Sequence, residues 1–341
     1  MRARSSTSEW LDPPCRAAAY DELVDRTGEV DRFCSSTDWI VPLHQNFGAG
    51  PVLAEVTPEA AVVLTRLPGR DRRALLCGLD VQWGFACPVV GPSVDAGVDL
   101  IERVLRDQRH DCQAVLLAGM VPDGTLASAL ARRLGSRLLV MGVGSTVGRR
   151  VAWLDGGLEA YLDRRSARFR RNARQAGDRA ERAGIRFEWV DGGGADVVER
   201  AIAVEQASWK GRTGSGLADP SFARFYLDLA ANLAAHPADA AATGSTGLPA
   251  VGGRLRAGFA VAGRQDVGYI LGAVRRGRYR GLQLAYSSHF PALSLGNLLQ
   301  LGQMERLVRE GVTRYDLGMD MPYKVSWSDE LFVTETLVAR T

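Results

Sequence analysis

Of the 42 basic residues in this chain only Lys210 and Lys324 are lysines, all the others being arginines. A compact ammonium therefore survives at two places in a sequence that otherwise writes a flat guanidinium, and the two groups do different work. Lys210 lies in Glu205-Gln-Ala-Ser-Trp-Lys-Gly211, and Lys324 in Pro322-Tyr-Lys-Val-Ser-Trp327, a few residues after Tyr315-Asp-Leu-Gly318. Each follows an aromatic residue, Trp209 or Tyr323, in a glycine-bearing segment at the end of an element. A lysine so placed could hold a phosphate, or steady the oxyanion that develops when an amine attacks a thioester or ester carbonyl. It could equally stack on its aromatic neighbour. Asp316 and Glu205 are candidates to accept the proton of the attacking amine, and Asp316 is equally a candidate to tie strand to loop.

A second feature is basic and repetitive. Arg164, Arg165, Arg168, Arg170, Arg171, Arg174, Arg179 and Arg182 follow one another with few acidic interruptions. Arg164, Arg168 and Arg171 recur at the spacing of one helix face, a surface that phosphates would find, or a plain solvated face. Coenzyme A, the phosphopantetheine arm and acidic face of a carrier protein, and tRNA all fit the first description. For a phosphate loop, Ala292-Leu-Ser-Leu-Gly-Asn-Leu298 offers Ser294 as helix cap and Gly296 for close backbone approach, with Asn297 beside them. Arg278-Tyr-Arg-Gly-Leu-Gln283 competes with it. Gly142-Val-Gly-Ser-Thr-Val-Gly148 has glycines at a dinucleotide-like spacing, but a strand-like run follows where a helix is needed, so a hairpin turn is expected.

Other chemistries lose support. Cysteines 15, 34, 77, 87 and 112 form no C-x-x-C pair and are odd in number, and the four histidines are scattered, so no metal site and no disulfide framework is indicated. No H-E-x-x-H or G-x-S-x-G occurs. A formal net charge of +3 does not mark the whole chain as a nucleic-acid binder, and no DNA partner is expected. Apolar residues at 46% and charged residues at 24% are those of a folded globular protein, and 341 residues suit two domains. No apolar run approaches the roughly 20 residues of a membrane helix, and Met1 to Trp10 lacks the apolar stretch of a secretory signal, so a cytoplasmic location is the expectation.

Hydrophobic periodicity then places these residues. Helices are expected at 16–28, 94–109, 123–134, 195–209, 220–235 and 296–309, with a short capped turn leading into Trp39. Strands are expected at 51–56, 60–67, 73–79, 84–90, 113–117, 137–143, 185–190, 255–262, 267–274, 279–285, 313–317 and 331–339. The stretch from Gly156 to Gly184 reads as one long helix bridging two halves of similar grammar, and 234–249 reads as a surface loop.

The run Ser166-Ala-Arg-Phe-Arg-Arg-Asn-Ala-Arg174, then Glu205…Trp209-Lys210-Gly211, then Tyr286…Phe290…Ser294-Leu-Gly-Asn-Leu-Leu299, and finally Tyr315-Asp-Leu-Gly318…Tyr323-Lys324…Trp327 resembles the CelD-like branch of the GNAT acyltransferase superfamily, related to the Fem-type aminoacyltransferases. The likeness covers about residues 150–330, with strand order and Trp39 fitting before that. It implies an α/β (α+β) fold of tandem GNAT-like domains, each a mixed, mostly antiparallel sheet flanked by helices. The expected domains are 1–155, a bridging helix 156–184, and 185–341. The resemblance also implies an acyltransferase, with direct attack of an amine on an acyl group carried by CoA, a carrier protein or, as in Fem-type relatives, tRNA. No permanently bound cofactor is expected, and the acceptor would be an amine-bearing small molecule or peptide. By position Tyr323-Lys324 matches an aromatic-lysine pair beside the reacting ester. On this reading Lys324, Tyr323, Asp316 and Glu205 are catalytic, Trp209, Lys210, Tyr286 and Trp327 line the substrate, and Arg168, Arg171, Ser294, Gly296 and Asn297 meet donor phosphates. The usual Q/R-x-x-G-x-G/A pyrophosphate pattern is absent. A catalytically silent binding domain of this fold is the third reading.

Overall fold

A computed structural model describes residues 14–48, 50–69, 73–140, 146–235 and 254–341. The expected loop at 234–249 lies outside these residues from 236 onward, and so does the heart of the glycine stretch 142–148. The chain forms two compact units, residues 1–148 with 333–341, and residues 149–332. The first unit thus ends at 148 and takes back residues 333–341, and the residues 156–184 expected to bridge lie within the second unit.

In the N-terminal unit, helices α1 (Pro14–Arg26) and α2 (Thr37–Phe47) precede a meander of β1 (Val52–Val56), β2 (Ala61–Leu67) and β3 (Ala74–Cys77). A two-residue strand β4 (Val89–Val90) pairs back onto β2, and helix α3 (Val94–Asp107) crosses over to β5 (Cys112–Met120), which runs parallel to β3. Helix α4 (Thr125–Leu134) and β6 (Leu138–Val140) follow. Residues 335–340 lie antiparallel to β5 and close the sheet. Five successive buried residues on β2, Ala61 to Thr65, show a strand covered on both faces. Val98, Ile101 and Leu105 of α3 pack on Leu64, Leu76 and Val115 in one core.

The C-terminal unit begins on β7 (Val147–Trp153), helices α5 (Gly157–Asp163) and α6 (Ala167–Arg182), and β8 (Ile185–Asp191). Helices α7 (Ala195–Gln206), α8 (Trp209–Thr213) and α9 (Pro220–Ala235) come next, then the hairpins β9 (Leu255–Ala262), β10 (Gln265–Arg275) and β11 (Arg278–Tyr286). Helix α10 (Leu295–Arg309) crosses over to β12 (Arg314–Met319), and a 3₁₀ turn, Pro322–Trp327, leads into β13 (Glu330–Arg340). The strands β8, β9, β10 and β11 are antiparallel neighbours, β12 is parallel to β11, and β7 is antiparallel to β12.

The two units share this grammar: an antiparallel meander, a crossover helix, one parallel pair, then an antiparallel strand from elsewhere in the chain. The order of mixed strands flanked by helices is the one expected. The single helix 156–184 is not formed. It breaks at Arg164–Ser166, where Ser166 turns extended and its Oγ accepts the Phe169 N–H (3.1 Å), starting α6 afresh. Similarly, the helix begun at Ala195 stops at Gln206, and Ser208 caps α8 by accepting the Lys210 N–H. Of the strand expected at 84–90 only Val89–Val90 forms, since 80–86 wraps around the Asp80 carboxylate.

Candidate active site

The parallel pair β11 and β12 opens. It is in register only at Arg278–Arg314, Tyr279–Tyr315 and Arg280–Asp316, although β11 continues to Tyr286 and β12 to Met319. Two irregularities produce the opening. Leu282 is a bulge in the pairing of β11 with β10, and the β12–β7 register slips between Asp316 and Met319. A bulge bends its strand and strengthens the local twist, so β11 turns away from β12 just beyond Arg280. Gly281 to Leu284 are consequently half-exposed in a row, where a central strand would alternate or bury throughout.

A buried ion cluster floors the opening. Asp316 Oδ2 accepts from Arg149 (2.8 Å) and from Arg280 (2.9 Å), while Oδ1 accepts the Gly318 N–H (2.8 Å). Register explains the meeting: Arg280 stands opposite Asp316 on β11, and Asp316 faces Val151 on β7, two residues from Arg149. Two guanidiniums thus share the one Asp316 carboxylate. Gly318 holds φ near +80°, a left-handed conformation that glycine adopts without strain. A side chain there would sit 3.6 Å from Lys324 Nζ.

Both lysines converge on this region. Lys324 Nζ donates to the Met319 carbonyl (2.9 Å) and lies 5.7 Å over the Tyr323 ring. Burial, reinforced by the charges of Arg280 and Lys210, pushes its ammonium down to about 8, against the pull of Asp316 and Asp320. Lys210 Nζ donates to Gln283 Oε1 on β11 (2.7 Å) and to Glu205 Oε2 (3.4 Å), and Gln283 in turn donates to Tyr226 (3.1 Å). Burial lowers Lys210 as well, with Glu205 opposing. Trp209 is 54% and Tyr323 60% exposed, two aromatic faces open to a ligand.

Other expected site residues are placed differently. Glu205 is fully buried and its oxygens accept from the Leu217 N–H, the Tyr269 hydroxyl and Lys210, so it anchors α7 to its neighbours and is not open to an acceptor amine. Asp316 is likewise fully engaged. Trp327 is a core residue, packed edge-on against Phe169 (4.8 Å) with its carbonyl taking the Tyr161 hydroxyl. Ser294 is left-handed (φ 53°) and makes no side-chain cap, and the Asn297 and Leu298 N–H groups both bond its carbonyl. Gly296 is buried, where a Cβ would press on Leu284 and Tyr286 at 3.1–3.3 Å, so its smallness serves helix-sheet packing. Tyr286 makes that contact while half-exposed and stands near Tyr323, whose hydroxyl is pushed up by burial and then by Tyr286, and Asn297 is exposed. Arg278–Gln283 is strand β11, not a phosphate loop. Arg168, Arg171 and Arg174 are exposed on α6, but Arg164 leaves the row, pairing with Asp329 (3.2 Å) before that helix begins.

Arg149, Tyr226 and Tyr269 carry no local sequence signal, because their partners lie on distant strands and helices. Gln283 was visible only as the end of a competing loop.

Residues 167–325 match the family model described as an acetyltransferase (GNAT) domain. No curated protein matches the sequence. Among solved structures the chain resembles FemX (12% identity, all of this chain and 98% of that one, TM-score 0.66). It also resembles a conserved protein of unknown function from Bacteroides thetaiotaomicron (11%, 95% and 97%, 0.63). A third is the C-terminal domain of a protein assigned as a lysylphosphatidylglycerol synthetase from Agrobacterium fabrum (13%, 98% and 93%, 0.60). At these identities the likeness is one of fold. Among the described residues no helix is long and apolar enough to cross a membrane.

Proposed function

We propose that this chain, whose residues 167–325 match the acetyltransferase (GNAT) domain model, transfers an acyl group to an amine by direct attack in the opening between β11 and β12. The observation that carries this reading is the meeting of both lysines of the chain at a strand opening floored by a buried Arg149–Asp316–Arg280 cluster. The acceptor nitrogen forms its bond to the acyl carbon, negative charge gathers on the carbonyl oxygen, and the bond to the leaving sulfur or oxygen breaks. Protonated Lys324 stabilises that oxygen. Tyr323, exposed beside it, is placed to shape the pocket or return a proton to the leaving group. Since Glu205 and Asp316 are engaged, the nitrogen's proton leaves through water in the opening. Trp209 and Lys210 line the channel, and positioning supplies much of the remaining rate.

A thioester of CoA or a carrier protein is the first donor class. A second reading, an aminoacyl group borne by tRNA, is favoured by two observations. Ser294 opens α10 in a left-handed conformation with no side-chain cap where the usual glycine-rich pyrophosphate pattern is absent, and Arg168, Arg171 and Arg174 stand exposed on one helix. Purified protein should be offered acyl-CoA, acyl-carrier protein and aminoacyl-tRNA with a mixed amine panel at two salt concentrations. Transfer from either thioester, insensitive to RNase, supports the first class. Transfer from tRNA that falls steeply with salt, its salt slope reduced by about 2 in an Arg168→Glu/Arg171→Glu double variant, supports the second. No transfer from any donor overturns the enzymatic reading.

A further inference from the structure

The N-terminal unit holds a cavity for which acyl transfer has no use. It measures about 230 Å³ and is bounded by β4, the first turns of α3 and α4, the end of β5 and the segment Thr27–Val30. Val30, Val89, Val94, Met120, Leu126 and Ala127 give it an apolar wall. Cys87 also lines it, but burial pushes its thiol up to about 12, so it is no nucleophile.

Two helix N-termini meet at the rim, and a bare N-terminus would draw an anion. Here each is answered in part from within. Ser93 Oγ accepts the Ala96 N–H (3.2 Å). Glu29 Oε2 accepts the Thr125 N–H (2.7 Å) and hydroxyl (3.1 Å), and the Gly91 N–H donates to Thr27 (2.7 Å). An anionic ligand would therefore meet the Glu29 carboxylate at the rim. An uncharged tail finds an apolar wall that would otherwise be lined with water, and a cation at the end of that tail finds Glu29, which is exposed at the rim.

We propose that this cavity binds a small aliphatic amine, its tail against Val89, Met120 and Leu126 and its ammonium beside Glu29. At roughly 30 Å³ for each water-sized group, the space suits a chain of about six carbons. The site is independent of the acyl-transfer reading, since it lies wholly within residues 27–127 and contains no reacting group.

Methionine-methyl NMR on the full chain tests it with hexylammonium, hexanol and hexanoate as probes. Met120 reports on the cavity and Met319 and Met321 on the C-terminal unit, each assigned by substitution to leucine. Hexylammonium should shift the Met120 methyl saturably, hexanol should do so with about tenfold weaker affinity, and hexanoate should not. Glu29→Gln, which keeps a cap for Thr125, should bring hexylammonium down to the affinity of hexanol and leave hexanol unchanged. Val121→Trp, entering from the rim, should remove the Met120 response. A Met120 methyl indifferent to hexylammonium, an equal response to hexanoate, or a Glu29→Gln variant that still prefers the amine overturns the proposal. So does a response confined to Met319 and Met321.

Discussion

The two units answer the same topological question in opposite ways. Each has a crossover helix followed by a parallel pair, β3 with β5 and β11 with β12. In the N-terminal unit the chain leaves β3 at Cys77 and packs its next residues against the end of β5. Ala86 comes so close to Gly119 that a Cβ there would lie 2.7 Å from it, and Gly84 faces Ala118. Asp80 holds this segment from inside, accepting the N–H groups of Trp83 (3.0 Å), Phe85 (3.0 Å) and Ala86 (3.2 Å) and the Trp39 indole (3.4 Å). Trp39, Trp83 and Phe85 then pack on one another. In the C-terminal unit the corresponding strand bulges at Leu282 and runs on, and the opening beside it is bordered by Lys210, Gln283 and Lys324. The same arrangement of strands is thus closed or left open beside its parallel pair according to what the chain does in the few residues after it.

Three substitutions would break or sharpen this contrast. The largest effect is expected from Asp316→Ala, which leaves Arg149 and Arg280 buried without their carboxylate. Removing one member of a buried ion cluster is worth about 3–5 kcal/mol, so denaturant melts should show the C-terminal unit lost first. A stable variant with full activity would show that the floor of the opening has no role. Next comes Lys324→Ala, expected to lower turnover about 10² to 10³-fold with little change in Tm. Because burial and Arg280 hold the Lys324 ammonium at about 8, its charged form is present below that pH and is lost as pH rises through it. Wild-type activity that depends on the charge should therefore fall above about pH 8, and Lys324→Arg, charged throughout, should flatten whatever activity remains. Unchanged turnover in Lys324→Ala would sink the assignment. The smallest effect on turnover belongs to Asp80→Ala, which strips three backbone donors and the Trp39 indole of their acceptor. It should destabilise the N-terminal unit, by about 1–3 kcal/mol for each donor left buried, while turnover at moderate temperature holds. A loss of activity out of proportion to stability would mean that the segment around Asp80 takes part in the chemistry after all.

Much of the fold was legible from residue patterns. The spacing of Val98, Ile101 and Leu105 marks a helix, and the β-rich runs at 255–262 and 267–274 mark strands, because burial of one face or two writes itself into local sequence. The site was legible in part. The rarity of lysine picked out Lys210 and Lys324, and the structure brings both to one opening. The roles of the neighbouring carboxylates were legible only as alternatives. Glu205 looked available because Tyr269 and Leu217 arrive from other elements, while for Asp316 the alternative of tying strand to loop is met by the Gly318 N–H, and Arg149 and Arg280 arrive from distant strands. Trp327 looked like a pocket wall for the same reason, its partner Phe169 lying on another helix. Ser294 has the residue type of a cap, yet its backbone is left-handed, a choice made by the turn at Phe290–Leu293 and not by the serine.

The sequence by itself determined the kinds of element, their order, the two scarce ammonium groups and the run of arginines, all properties of neighbours within a few residues. Only the tertiary structure decided which charges are paired and which are open to a ligand. Pairing depends on strand register: the parallel alignment that sets Arg280 opposite Asp316, and the bulge at Leu282 that ends it, bring together residues whose separation along the chain carries no record of their meeting.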